Sequence, residues 1–358
     1  MLHQAILSLA NTAAISDYIV KEGDPLWVRK HGALSRVSDE VFSREHILDF
    51  LRKHEAHTCV ATSKINQLLE EKGDLDFAVK LARRRFRGNL YWSNNKKLSL
   101  VLRGLHDLVP TLSSLGLPDT YLRLIEQSKG LLLVTGATGS GKTTTLAASL
   151  EHLNATRCGH IITLEDPVEY LLQSKRCLVD QRQIGRDAKS FPLGLRAAMR
   201  QDPDIILVGE LRDYETVKTA LDAANTGHLV MATLHTNSAQ QSIDRLTSFF
   251  GAEKRDWAQA TLSQALLGVI SQVLLPRKDG SGRVLAAELL VCTPDVRASI
   301  RDGRTHQLFN AMDTGSSKGQ VVLNTVLRQL IRDGSVSEKD AFFAAYDPNA
   351  LRKDLKNG

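Results

Sequence analysis

The sequence predicts a two-domain α/β protein, in which a first unit of mixed helices and strands precedes a larger unit built on a mostly parallel sheet covered on both faces. Three observations lead there. From Tyr121 onward, stretches of helical periodicity alternate with short, almost uninterrupted apolar runs, the pattern of strands buried on both sides. Four of these runs, LLLVTG (131–136), IITLED (161–166), IILVGE (205–210) and LVMATLH (229–235), end in glycine or polar residues suited to a site at one sheet edge. Ahead of them the composition shifts to DLVPTLSSLGLPDT, with prolines, glycine, serine and no helical pattern, which reads as a linker. The expected division is residues 1–105, a linker over 106–120, and a second domain over 121–358.

In the first domain, helical periodicity covers 1–15 and 43–53, and strands are expected near Pro25–Lys30 and Asn89–Tyr91. The most unusual stretch there is ARRRFRGNLYW (Ala82–Trp92), followed by Lys96, Lys97 and Arg103. Such a run reads either as the solvated basic edge of a strand or as a phosphate-seeking arginine surface. The second alternative would face nucleic acid or a neighbouring subunit's nucleotide.

The second domain is organised around LLLVTGATGSGKTTT (131–145), which reads as strand, phosphate loop and helix start. Gly136, Gly141, Lys142 and Thr143 satisfy the phosphate-loop spacing. Glycines allow a tight turn whose amides converge on an anion at a helix N-terminus, where the helix dipole adds attraction. Lys142 can reach the outer phosphates, and the Thr143 hydroxyl can ligate the accompanying magnesium ion. The candidate nucleotide-binding residues are Gly136, Ala137, Thr138, Gly139, Ser140, Gly141, Lys142, Thr143 and Thr144.

The other three strand ends supply what phosphoryl transfer needs: charge neutralisation, a held magnesium and an oriented water. Glu210 is placed to orient or deprotonate that water; its alternative is an acid capping the next helix. Glu165 and Asp166 can hold the magnesium's water shell, although Pro167 follows and one of the two can instead only shape the turn. His235 is placed at the γ-phosphate. His228 starts the same strand, roughly 20 Å away at the opposite edge, so the two histidines do not form a metal pair.

Composition excludes little but is consistent: 42% hydrophobic and 24% charged residues are ordinary globular values. Lysines and arginines number 46 against 40 acids, a net charge of +6 that permits, without requiring, a nucleic-acid or anionic-membrane partner. Cys59, Cys158, Cys177 and Cys292 are scattered, which fits free thiols in a reducing compartment better than zinc or disulfides. The N-terminus lacks a basic segment before its apolar start, so no signal peptide is expected. The uncharged stretch Trp257–Pro276 reads as a packed amphipathic helix rather than a membrane span.

Taken in order, GATGSGKTTTLA, ITLEDPVEY, DPDIILVGELRD and TGHLVMATLHTNSA resemble the boxes of the type II and type IV secretion ATPases. Within that superfamily the chain is most similar to the retraction ATPases of type IV pili, the PilT family. SIDRL (242–246) and LRQLIRDGSVSEKDAF extend the resemblance over nearly the whole length. It implies a PAS-like N-terminal domain, a RecA-like ATPase domain with C-terminal helices, and a homo-hexameric ring that hydrolyses ATP with Mg2+. It assigns Gly136–Thr143 to the phosphate loop, Glu165 to the aspartate box, Glu210 to catalysis and His235 to the histidine box. Arg87 and Arg103 match arginines that the family supplies in trans or across the domain cleft. The implied work is pilus retraction and twitching motility, done at the cytoplasmic face of the bacterial inner membrane on a platform protein, with nucleic acid not a partner.

The family's A-I-R-N-L-I-R-E segment is DVRASIRD here (Asp295–Asp302), which leaves open a plasmid-encoded or bundle-type pilus or a type IV secretion system. Read from residues alone, that segment is a helix with Thr293 as N-cap, Pro294 at its first turn and Gly303 at its end. The absence of a four-cysteine zinc motif argues against the extension branch. A RecA-like nucleic-acid translocase is the reading from another class.

Overall fold

The computed structural model describes residues 1–10, 12, 15–30, 33–55, 62–82, 84–105 and 108–356. Arg83 of the basic run, Cys59, residues 11, 13 and 14 of the first expected helix, and residues 106 and 107 of the expected linker lie outside the described residues. Two compact units emerge: Met1–Leu108 with Glu169–Leu171, and Val109–Val168 with Leu172–Gly358.

The first unit contains α1 (Leu2–Leu9), β1 (Ile15–Lys21), β2 (Asp24–Lys30), β3 (Ala33–Phe42), α2 (Arg44–Lys53), α3 (Ile65–Lys72), β4 (Asp74–Leu81), β5 (Arg84–Ser93) and β6 (Lys97–Gly104). Two antiparallel meanders join through β1 and β6 into one sheet of order β3-β2-β1-β6-β5-β4. The strands follow a period of two: along β4, Leu75, Phe77, Val79 and Leu81 are buried and their alternates are more open. Phe86 and Leu90 of β5 and Leu98, Leu100 and Leu102 of β6 join this apolar face. Ile6 of α1, Ile47 and Phe50 of α2, and Leu69 of α3 pack with it into a single core. Helix α2 begins where Ser43 caps it, its hydroxyl accepting from the His46 amide at 3.4 Å. The basic run therefore forms an interior strand, not a sheet edge. Arg84 is consumed structurally, its guanidinium donating to the carbonyls of Thr12 and Ile15.

The second unit begins with α4 (Asp119–Ile125), β7 (Gly130–Thr135), α5 (Lys142–Thr156), β8 (Gly159–Glu165) and β9 (Cys177–Gln183). It continues with α6 (Phe191–Ala198), β10 (Ile205–Val208), α7 (Tyr214–Asn225), β11 (Leu229–Leu234), α8 (Ala239–Ser248), α9 (Arg255–Ala265), β12 (Leu266–Pro276) and β13 (Arg283–Val291). Helices α10 (Pro294–Arg301), α11 (Leu308–Asp313), α12 (Leu323–Arg332), α13 (Glu338–Ala344) and α14 (Pro348–Lys356) end it. The sheet order is β13-β12-β7-β11-β10-β8-β9, parallel throughout except that β13 runs antiparallel to β12.

Alternation explains the unbroken apolar runs. Leu131, Leu133, Ile206, Val208, Val230 and Ala232 face a core shared with Val217 and Leu221 of α7 and Ile243 of α8. Their neighbours Leu132, Val134, Ile205, Leu207, Leu229 and Met231 face a second core with Leu146, Leu150 and Leu153 of α5. Each strand is apolar on both sides because helices cover both.

The expected helix over Trp257–Pro276 is corrected: α9 ends at Ala265, and Leu266–Pro276 is the strand β12, paired with β7 and β13. A short apolar run cannot separate strand from buried helix by periodicity, and here Val269, Ile270 and Val273 favour the strand. Gly268 lies beside the shift of register, where an added Cβ would stand 2.6 Å from the Leu290 carbonyl oxygen. At α10, Pro294 opens the helix as expected, but Thr293 makes no side-chain capping bond. Cys158, Cys177 and Cys292 are free thiols, and burial pushes the Cys292 thiol up to about 11. Among the described residues, no helix is long and apolar enough to cross a membrane.

Candidate active site

The site forms in the second unit, just beyond the carboxyl ends of β7, β8, β10 and β11, the edge where open α/β sheets hold ligands. After Thr135 the chain turns at Gly136, with φ of +139°. A Cβ there would lie 2.4 Å from the Gln272 carbonyl oxygen and 2.5 Å from Ser140 Oγ, so only glycine fits. Gly141, with φ of +91°, occupies the N-cap position of α5, and no side chain caps that helix. A helix start without a side-chain cap is where a polyphosphate cradle takes its anion. Lys142 is buried and folds back, Nζ donating to the carbonyls of Gly136 at 2.7 Å and Ala137 at 3.0 Å. Thr143 and Thr144 follow in the first turn of α5. Arg283 Nη1 donates to the Gly139 carbonyl at 3.3 Å.

Glu165 ends β8 and is 7% exposed. Its Oε1 accepts from Thr163 Oγ1 at 2.6 Å and from Gln181 Nε2 at 3.1 Å, so its orientation is fixed from two strands. Asp166, which follows, is exposed and joined to Pro167 by a cis peptide. Magnesium commonly takes only one or two protein ligands beside phosphates and waters, so a dedicated cage is not required. Thr143 and Glu165 fit that pattern; among the described residues no cluster of three or more His, Cys, Asp or Glu suits a metal.

Glu210 lies two residues past β10. The preceding Gly209 is tied to both neighbours, its amide donating to the Leu164 carbonyl at 2.8 Å and its carbonyl accepting from Thr233 Oγ1. Arg212 places Nε and Nη2 each 2.7 Å from Glu210 Oε2, and His235 Nε2 is 3.4 Å from the same oxygen. Glu210 Oε1 has no hydrogen-bond partner among the described residues. Capping of α7 falls to Asp213, whose carboxylate accepts from the Thr216 amide at 2.9 Å, and not to Glu210. Glu210, Leu211, Arg212, Leu234, His235, Thr236 and Arg245 line a cleft of about 260 Å³. His228 lies before β11, its ring against the Ala223 carbonyl, outside this cleft.

Arg87 and Arg103 belong to the first unit. They are direct cross-strand partners on β5 and β6 and therefore share a face. Arg103 Nε donates to Asp17 Oδ1 at 2.7 Å, and Arg87 Nη2 to Asp76 Oδ2 at 3.3 Å. Asp17 is 4% exposed and has Arg29 as a second cation at 3.9 Å. The row Arg87, Arg103, Asp17, Arg29 therefore runs across three adjacent strand pairs.

Sequence reasoning gave no role to Arg212 or Arg245, although both stand inside quoted boxes, GELRD and SIDRL. Gln181, Gln272 and Arg283 carried no local signal; their places follow from neighbouring strands.

A glycine-built anion cradle, an oriented carboxylate and a histidine at the ends of adjacent parallel strands define a phosphate-loop nucleoside triphosphatase. The chain belongs to the type II/IV secretion system protein family, whose model matches residues 75–337. It is 40% identical over 337 residues to the type IV pilus retraction ATPase PilT of Pseudomonas aeruginosa, covering 94% of this chain and 96% of that protein. It is 48% identical over 268 residues to YggR of Escherichia coli K12, described as uncharacterized, covering 75% of this chain and 82% of that one. A crystal structure of the pilus retraction motor PilT with bound ADP matches with a TM-score of 0.87 at 39% identity, covering 98% and 99% of the two chains.

Proposed function

We propose that this chain is a motor ATPase whose hydrolysis of ATP powers type IV pilus retraction and twitching motility. The observation that carries this reading is the convergence of Lys142, Glu165, Glu210 and His235 beyond four strand ends of one sheet. The likeness to the Pseudomonas retraction ATPase supports the direction of the motor.

Residues Gly136 to Thr144 hold the phosphates, and Lys142 exchanges its two carbonyl partners for the outer phosphates. Thr143, with Glu165 through water, would hold Mg2+, whose charge would offset that of the transferred group. Glu210, oriented through Oε2, acts through its other oxygen on the attacking water, and His235 contacts the γ-phosphate. Arg87 and Arg103 bring positive charge from the first unit to the nucleotide of a neighbouring subunit in a homo-hexamer. The ring works at the cytoplasmic face of the inner membrane on a platform protein of the pilus.

Deleting the gene and counting pili tests the direction of the motor. Excess static pili and lost twitching are expected; bald cells would mean assembly and overturn the retraction reading.

A further inference from the structure

A buried polar chain runs from the hydrolysis site into the C-terminal helices. Thr236, the residue after His235, meets Ser242 Oγ at 2.7 Å. Ser242 Oγ lies 3.4 Å from Thr135 Oγ1, on the residue just before the phosphate loop, and Thr135 Oγ1 is 2.8 Å from Ser271 Oγ on β12. Ser271 is the cross-strand partner of Glu288 on β13 and stands beside its carboxyl. Glu288 is 3% exposed.

Glu288 makes two further contacts that concern the loop after β11. Its Oε1 accepts from the Ala239 amide at 2.7 Å, an amide in the first turn of α8. Ser238 already caps that helix, accepting from Gln241, so Glu288 adds a tie between the helix start and β13 rather than replacing a missing cap. The Tyr346 hydroxyl, between α13 and α14, donates to the Asn237 carbonyl and lies close enough to Glu288 for the two groups to perturb each other's protonation. Tyr346 leaves 43% of its surface open, but its hydroxyl end reaches inward to these partners. Thr236, Asn237 and Ala239 are thus each anchored. The His235 ring itself is 45% exposed, and its Nε2 lies 3.4 Å from the Glu210 carboxylate.

We propose that Glu288 is a positioning residue for ATP hydrolysis: with Tyr346 it pins the segment carrying His235 and couples the C-terminal helices to the γ-phosphate end of the site. This rests on the reading of Glu210 and His235 given above. A buried carboxyl costs free energy that an aliphatic side chain in the same strand would not, and backbone pairing of β12 with β13 does not need it. Burial raises this carboxyl to about 7, against the opposing pull of the Ala239 amide and of the neighbouring Ser271 and Tyr346 hydroxyls.

The test uses the full-length assembled protein carrying Tyr346→Phe, Glu288→Ala or Glu288→Gln. Steady-state ATP hydrolysis, affinity for a fluorescent ADP analogue and the thermal midpoint are measured for each, with Glu210→Gln as a control. Removing the hydroxyl that holds the Asn237 carbonyl in Tyr346→Phe should lower kcat about tenfold. ADP affinity should stay within about twofold, because the phosphate loop keeps its own contacts. Glu288→Ala should lose more, and Glu288→Gln, which retains the acceptor for Ala239, should recover most of kcat. Native kcat in Tyr346→Phe, or a loss of kcat matched by equal losses of ADP affinity and stability, would overturn the inference. If Glu210→Gln itself keeps turnover, the underlying reading of the site has failed instead.

Discussion

Replacing Glu288 by Gln should reshape the pH dependence of stability in a direction fixed by its surroundings. Burial on β13 raises its carboxyl from 4.5 to about 7. The folded chain therefore holds a proton more tightly than the unfolded chain. The resulting stabilisation is fully present below the unfolded value and is lost as pH rises through the folded one. At about 1.4 kcal/mol per pH unit, the whole effect is about 3 kcal/mol, most of which falls between pH 5 and pH 8. Gln cannot ionise, so the variant should gain on the native chain by roughly that amount as pH rises from 5 to 8. Urea or thermal unfolding of both proteins across this range provides the assay. An offset between the two that does not change with pH would refute the reasoning.

Gly136→Ala should lower nucleotide affinity by more than about tenfold, since a Cβ cannot fit at 2.4 Å from the Gln272 carbonyl oxygen and the backbone there is left-handed. Titration with a fluorescent ADP analogue would show this; near-native affinity would contradict the cradle. Arg87→Ala and Arg103→Ala should slow hydrolysis in assembled rings, and mixing either with Glu210→Gln subunits should recover activity if the arginines act on a neighbour's nucleotide. No recovery would confine them to their own chain. Arg103→Ala should also lower the unfolding midpoint, because buried Asp17 then loses its 2.7 Å guanidinium partner and, among the described residues, keeps Ser16 and Arg29.

Much of the second unit was legible because its strands are short, apolar and capped by distinctive residues. Gly136, Glu165, Glu210 and His235 each sit at or just past a strand end, and Lys142 opens the helix after the first of them, so that sequence order and spatial convergence coincide. Legibility failed where long-range pairing decides. LLGVISQVLLP reads equally as helix or strand until β7 and β13 are known to flank it. Glu288 and Tyr346 carry no motif; they matter because β13 and the end of α13 come beside the Ala239 amide and the Asn237 carbonyl. Arg84 and Arg87 look alike in the basic run, yet one is spent on backbone carbonyls and the other faces outward beside Arg103.

The most direct measurement is the behaviour of Glu210→Gln in ATP binding and turnover, made on the same assembled protein. Binding within a few-fold of native, with turnover reduced at least about a hundredfold, is expected for loss of the group that handles the attacking water. Unchanged binding with turnover above about a tenth of native would contradict the assignment of Glu210.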